Sequence, residues 1–149
     1  MVPIKSHIKR NIKPKHYPEN VCFESNEIYY KCDEINLNEK EEVLFTIDND
    51  PHSEQADGVI FTTERLIVFA PRSVKSILWK QIESYKLPKN KFKEGYTSTP
   101  PGYDRFMAVS DTIVLHLKGG ESVTVRIIYG GIYTLATLLG SLKHHGHFD

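Results

Sequence analysis

Apolar residues in this chain fall into short runs with two different periods. "VLFTI" (43–47) is the first run, and the polar stretch "DNDPHSEQAD" that follows is built from turn residues. "GVIFTT" (58–63) and "RLIVFA" (65–70) are separated by a tight turn at Thr63-Glu64, and "VKSILW" (74–79) follows Pro71. These runs are rich in β-branched and aromatic residues and bounded by turn signals, so each reads as a strand. "IESYKL" (82–87) continues the last of them or pairs beside it. Residues 88–104 hold Pro, Gly, Ser, Thr and Lys without periodicity and read as a long loop. "RFMAVS", "TIVLHLK" and "SVTVRIIY" then read as three more strands. Gly119-Gly120 between the last two is a hairpin signal, because both central positions can take positive φ. After Gly130-Gly131 the period changes. Ile132, Leu135, Ala136, Leu138, Leu139 and Leu142 form a stripe on one face of a helix.

About seven antiparallel strands followed by one amphipathic helix have a physical solution. A sheet bent into an open barrel leaves one end uncovered, and the helix closes it. The expected fold is therefore mainly β: a small barrel capped by a C-terminal α-helix. Residues 1–36 are expected to be an accessory N-terminal segment and residues 37–149 the domain proper. In the accessory part, Val2, Ile4, Ile8 and Ile12 stand among lysines at a spacing that suits a short helix or a strand, and the pattern is too short to choose. The acids within residues 38–42 suit the first turn of a short helix.

The stretch from Gly58 to Leu87 resembles the pleckstrin-homology (PH) superfold, and within it the GRAM-type and bacterial PH-like branches. The residues that carry the likeness are Gly58, Thr62, Thr63, Arg65, the run 66–69, Trp79 and Ile82, with "EEVLFTI" leading in and the closing helix behind. The resemblance spans residues 38–145. It implies a PH-like barrel and a binding role. Many PH domains hold phosphoinositides with basic residues in the loop between their first two strands. In this chain that loop carries Asp48, Asp50, Glu54 and Asp57 and neither Lys nor Arg. Carboxylates there repel phosphate, so the usual headgroup pocket is not expected.

Composition narrows the picture. At 149 residues there is room for one core without disulfide or metal staples. Lys and Arg number 19 and Asp and Glu 19, a balance that argues against a general nucleic-acid binder. The charges are segregated, however. Lys5, Lys9, Arg10, Lys13 and Lys15 precede any acid, and residues 19–57 then hold twelve acids against Lys31 and Lys40. Such runs are solvated faces that average out on folding, or they are an acidic face that meets a basic partner or a basic face that meets phosphate. The first residues lack the apolar core of a secretory signal, and no run approaches the roughly 18 apolar residues of a membrane span. A cytoplasmic location is expected, with Cys22 and Cys32 reduced and a disulfide between them as the alternative.

No catalytic constellation emerges, and neither a cofactor nor a metal is expected. Arg65 reads as a brace for its turn, Trp79 as a core anchor and His116 as a strand histidine. "PPGY" (100–103) has the form of a WW-domain ligand but also suits a plain turn. His144, His145, His147 and Asp149 could ligate metal, although a mobile terminal tract lacks the support that a preformed site needs. Two binding readings remain. The first is a protein partner for the acidic loop of Asp48, Asp50, Glu54 and Asp57, with an inhibitor or immunity protein as one version and self-assembly through sheet edges as another. The second is an anionic membrane meeting Arg72, Lys75, Lys86, Lys89, Lys91 and Lys93, beside Phe92 and Tyr96, together with the basic N-terminal arm.

Overall fold

The computed structural model describes residues 3–17, 22–24, 36–52, 54–87, 112–128 and 131–147. Strands β1 (Cys22–Glu24), β2 (Val43–Asp48), β3 (Gly58–Thr62), β4 (Arg65–Ala70) and β5 (Ser73–Leu78) form one antiparallel sheet in chain order. Strands β6 (Ile82–Lys86), β7 (Thr112–Leu117) and β8 (Ser122–Arg126) form a second. Helix α1 (Ile4–Asn11) precedes the strands and helix α2 (Gly131–His144) follows them. The protein is mainly β, a PH-like arrangement of two sheets closed by a C-terminal helix.

Side-chain alternation explains why the sheets face each other. On β8, Val123 and Val125 are buried while Ser122, Thr124 and Arg126 are exposed. Ile113 and Leu115 of β7 join them, and Phe45, Ile47, Val59, Phe61, Leu66 and Ile77 come from the first sheet. The apolar stripe of α2 buries Ile132, Leu135, Leu138, Leu139 and Leu142 in the same core. Each such side chain contributes about 1.5–3 kcal/mol relative to exposure. The other face of the first sheet is apolar too. Ile60, Ile67 and Phe69 form a second cluster flanked by Val43, Ala56 and Val74, so β3 is buried along its whole length.

The chain enters through α1. Ile8 and Ile12 are buried in the main core. A helix of 8 residues is not stable alone in water, so this docking, not propensity, holds it. Lys5 Nζ adds a 2.8 Å ion pair to Glu42 Oε2 at the foot of β2. Burial thus selects helix over strand for residues 4–11. The acids of residues 38–42, by contrast, do not begin a helix. The Glu41 N–H donates to the Asn38 carbonyl at 3.0 Å in a turn, and Glu41 is drawn inward to an arginine.

"IESYKL" neither continues β5 nor pairs beside it. A single 3-10 turn, Trp79–Gln81, carries the chain to the second sheet, where β6 pairs with β7. The turn is fixed at both ends of its first residue: Trp79 is buried, and its indole N–H donates to the Thr62 carbonyl at 2.9 Å. Gln81 Oε1 accepts from the Leu78 N–H at 2.9 Å. The expected strand "RFMAVS" and the loop 88–104 lie outside the described residues. The expected hairpin is present, with φ of 103° at Gly119 and 93° at Gly120.

Gly58 begins β3 between Asp48 of β2 and Phe69 of β4. A Cβ there would stand 2.0 Å from the Ile47 carbonyl oxygen and 3.0 Å from the Phe69 ring. The Ile47 carbonyl is backbone and cannot retreat without opening the sheet. Gly58→Ala is therefore expected to destabilise the protein by about 3 kcal/mol, the upper end of overpacking costs. Urea denaturation checks this, and an unchanged midpoint would refute the tight approach.

Candidate interaction surface

Antiparallel order places the connections of the first sheet at two ends. At one end lie the β2–β3 loop (49–57) and the β4–β5 turn at Pro71-Arg72. At the other lie the Thr63-Glu64 turn and the Trp79–Gln81 turn.

The second end is closed by polar bonds. Arg65 Nε donates to Glu41 Oε2 at 2.8 Å and Nη2 to Glu41 Oε1 at 2.9 Å. Arg65 Nη1 also donates to Ser76 Oγ at 2.9 Å and Nη2 to the Asn36 carbonyl at 2.5 Å. Thr62 Oγ1 donates to Glu41 Oε2 at 2.5 Å and accepts the N–H groups of Glu64 and Arg65. The Glu41 side chain is wholly buried and that of Arg65 only 15% exposed. Burial by itself would push the Glu41 carboxyl up. Hydrogen bonds from Arg65, Thr62 and the Asn38 N–H outweigh it and hold the carboxyl below its ordinary range. Arg65 braces its turn, with both sides of its guanidinium bonded to the protein.

The acidic loop at the first end divides in two. Asp48 is buried, and its Oδ1 accepts the Asp50 N–H at 2.9 Å, which turns the chain out of β2. Asp57 holds the other side of the loop: its carboxylate accepts from Asn49 Nδ2 at 3.0 Å and from Arg126 Nη1 at 3.2 Å. Buried Asn49 also donates to the Arg126 carbonyl at 2.8 Å and accepts the Ile128 N–H at 3.0 Å, joining the end of β2 to the end of β8. Asp48 and Asp57 thus shape the loop. Asp50 and Glu54 are the two exposed acids on it.

The basic candidates are scattered. Arg72 is exposed in the β4–β5 turn and Lys86 is exposed at the end of β6. Lys75, half-buried on β5, is ion-paired with Glu121 of the β7–β8 hairpin. Lys89, Lys91, Lys93, Phe92, Tyr96 and the "PPGY" stretch lie outside the described residues, as do Cys32 and Asp149. Trp79 is a core residue, and His116 Nδ1 lies 2.9 Å from Ser122 Oγ across the β7–β8 pair. No group of described His, Cys, Asp and Glu residues has the geometry to hold a metal ion.

A groove of about 450 Å³ at the second end has no counterpart in the sequence reading. Ile4, Asn38, Glu64, Leu78, Trp79, Lys80 and His147 line it. These residues come from five separate parts of the chain, so no local motif could have announced it.

Two antiparallel sheets joined at the Asn49 and Trp79 corners and closed by α2 define a PH-like binding scaffold. The family model for the bacterial PH domain matches residues 37–130. The chain belongs to that family, whose domains are generally binding modules without catalysis. No curated protein and no solved structure matches the chain. Among the described residues, no helix is long and apolar enough to cross a membrane.

The Glu41 carboxylate gives acid unfolding a definite sign. Its proton affinity is lower in the folded chain than the ordinary 4.5, so the unfolded chain binds more protons in the window just below that value. Its contribution is complete above about pH 4.5 and is lost as pH falls through the folded value. Glu41→Gln is expected to cost about 3 kcal/mol at neutral pH, because Arg65 loses its charge partner, and to flatten this part of the stability–pH curve. Denaturation midpoints between about pH 3 and pH 7 check both effects. An equal slope in the variant would assign the acid sensitivity to other carboxylates.

Proposed function

We propose that this chain is a non-catalytic module that binds another protein, using the loop between β2 and β3 as its contact. One observation carries the reading: Asp48, Asn49, Asp57 and Arg126 close the base of the loop, while Asp50 and Glu54 stand exposed on it. A preorganised acidic loop loses little freedom on binding and attracts a basic surface from a distance. An inhibitor or immunity protein that covers a basic target would use such a loop, and residues 19–57 add further acid nearby in sequence. The GRAM-like cast of the Thr62–Arg65 turn belongs to the same reading, since Arg65 serves the fold there. A cytoplasmic location is its natural setting.

Anionic lipid is the competing ligand, through Arg72, Lys75, Lys86, Lys89, Lys91 and Lys93. The ion pair between Lys75 and Glu121 removes one of these charges from that surface. Co-sedimentation with neutral and anionic liposomes across a salt series separates the two readings. No sedimentation is expected even at low salt; anionic-specific binding lost on adding salt would replace the protein reading by the membrane one. In parallel, Asp50→Lys with Glu54→Lys is expected to leave stability within about 0.5 kcal/mol of the parent, as both acids are exposed. The same double variant should slow association with a partner captured from the source cell roughly tenfold at low salt. Unchanged association would remove the acidic loop from the interface.

A further inference from the structure

Histidines gather where the two helices meet. His7 of α1 is fully buried. Its ring centroid lies 4.7 Å from that of His145 and 5.4 Å from that of His147, both in the turn that follows α2. His144 stacks edge-on against His145 at 5.3 Å. His7 Nδ1 lies 3.0 Å from Ser141 Oγ, within hydrogen-bonding distance of α2 itself. One residue beyond His7, Ile8 enters the core beside Leu138, Leu139 and Leu142. The seat of α1 on α2 is therefore part apolar and part imidazole.

The surrounding charge is basic. Lys5, Lys9 and Arg10 lie on α1, and Lys143 and His144 end α2. From the β2 side, Glu42 is engaged by Lys5 at 2.8 Å, and Glu41 by Arg65. A proton is a ligand that imidazole rings are chemically able to take at physiological pH.

We propose that the cluster of His7, His145 and His147 is a pH-sensitive latch: neutral, it holds α1 on α2, and in mild acid it releases α1. A proton on His7 would place positive charge in a buried site, against two other imidazole rings and between helices that carry Lys5, Lys9, Arg10 and Lys143. Desolvation and like-charge repulsion both oppose that state. The undocked helix exposes His7 to water, where histidine takes a proton near pH 6.5. The undocked form thus binds more protons, and docking weakens as pH falls below about 6.5. Release uncovers Ile8 and Ile12. It also widens the groove, because Ile4 and His147 are two of its walls. Acid would then expose an apolar surface that is hidden at neutral pH.

Hydrogen–deuterium exchange of the full chain, corrected for intrinsic rates, tests this at about pH 7.5 and about pH 5. Residues 4–12 are expected to lose at least about tenfold in protection at the lower pH, because one proton excluded from the docked form weakens docking about tenfold per pH unit below about 6.5, while β2, β3 and β4 keep theirs. His7→Gln should abolish the difference. Equal protection at both pH values, or an undiminished loss in His7→Gln, would overturn the latch. Should that variant not fold, NMR titration of the histidine rings in the unaltered chain decides. Protonation of His7 at the same midpoint as the loss of α1 protection supports it, and protonation with α1 still docked overturns it.

Discussion

A carboxylate with no access to water must be matched inside the protein, and Glu41 is matched by residues that only one chain path brings together. Arg65 opens β4, Thr62 ends β3, and Glu41 leads into β2. Their bonds close one end of the first sheet and hold the β3–β4 hairpin in register. That register matters because both faces of β3 are buried, and a slip of one residue would exchange the two clusters. A buried ion pair is a weak source of net stability, since desolvation offsets most of the attraction. Its effect here is selection: alternative pairings would leave a buried charge without its partner. The same Thr62 also accepts the Trp79 indole N–H through its carbonyl, so the turn into the second sheet depends on this corner as well.

The other end of the sheet is organised around a neutral side chain. Asn49 uses its amide to tie the end of β2 to the end of β8, and Asp57 and Arg126 complete the closure. These bonds engage Asp57, and Asp48 accepts the Asp50 N–H, while Asp50 and Glu54 are exposed. One end of the barrel is thus committed to holding the fold. The other combines a hydrogen-bonded loop base with exposed charge, the usual division between scaffold and binding loops. The helices add a third contact region, where imidazole rings stand in for part of the apolar packing.

Much of this was legible because the local signals agree with one another. Strand runs bounded by turn residues, paired glycines at 119 and 120 and the stripe from Ile132 to Leu142 each point to the element that forms. Arg65 and Trp79 were readable as structural residues because each stands beside a turn with polar groups to satisfy. The acidic loop was only half legible. Its lack of Lys and Arg is visible in the sequence, but Asp48, Asp50, Glu54 and Asp57 look alike there. Asp48 and Asp57 differ from the other two by contacts with the Asp50 N–H, with Asn49 and with Arg126, the last 69 residues away from Asp57.

What the sequence determined by itself is the mainly β class, the place of most strands, the closing helix and the charge of the first loop. All of these rest on periods and residue types within a few positions of one another. Tertiary structure alone decided the rest. It made residues 4–11 a helix, drew Glu41 into a turn and an ion pair, sent "IESYKL" to the second sheet and set His7 against His145 and His147. Each of these outcomes turns on what a segment is buried against. That partner lies between 24 and about 140 residues away in the chain, beyond the reach of any local pattern.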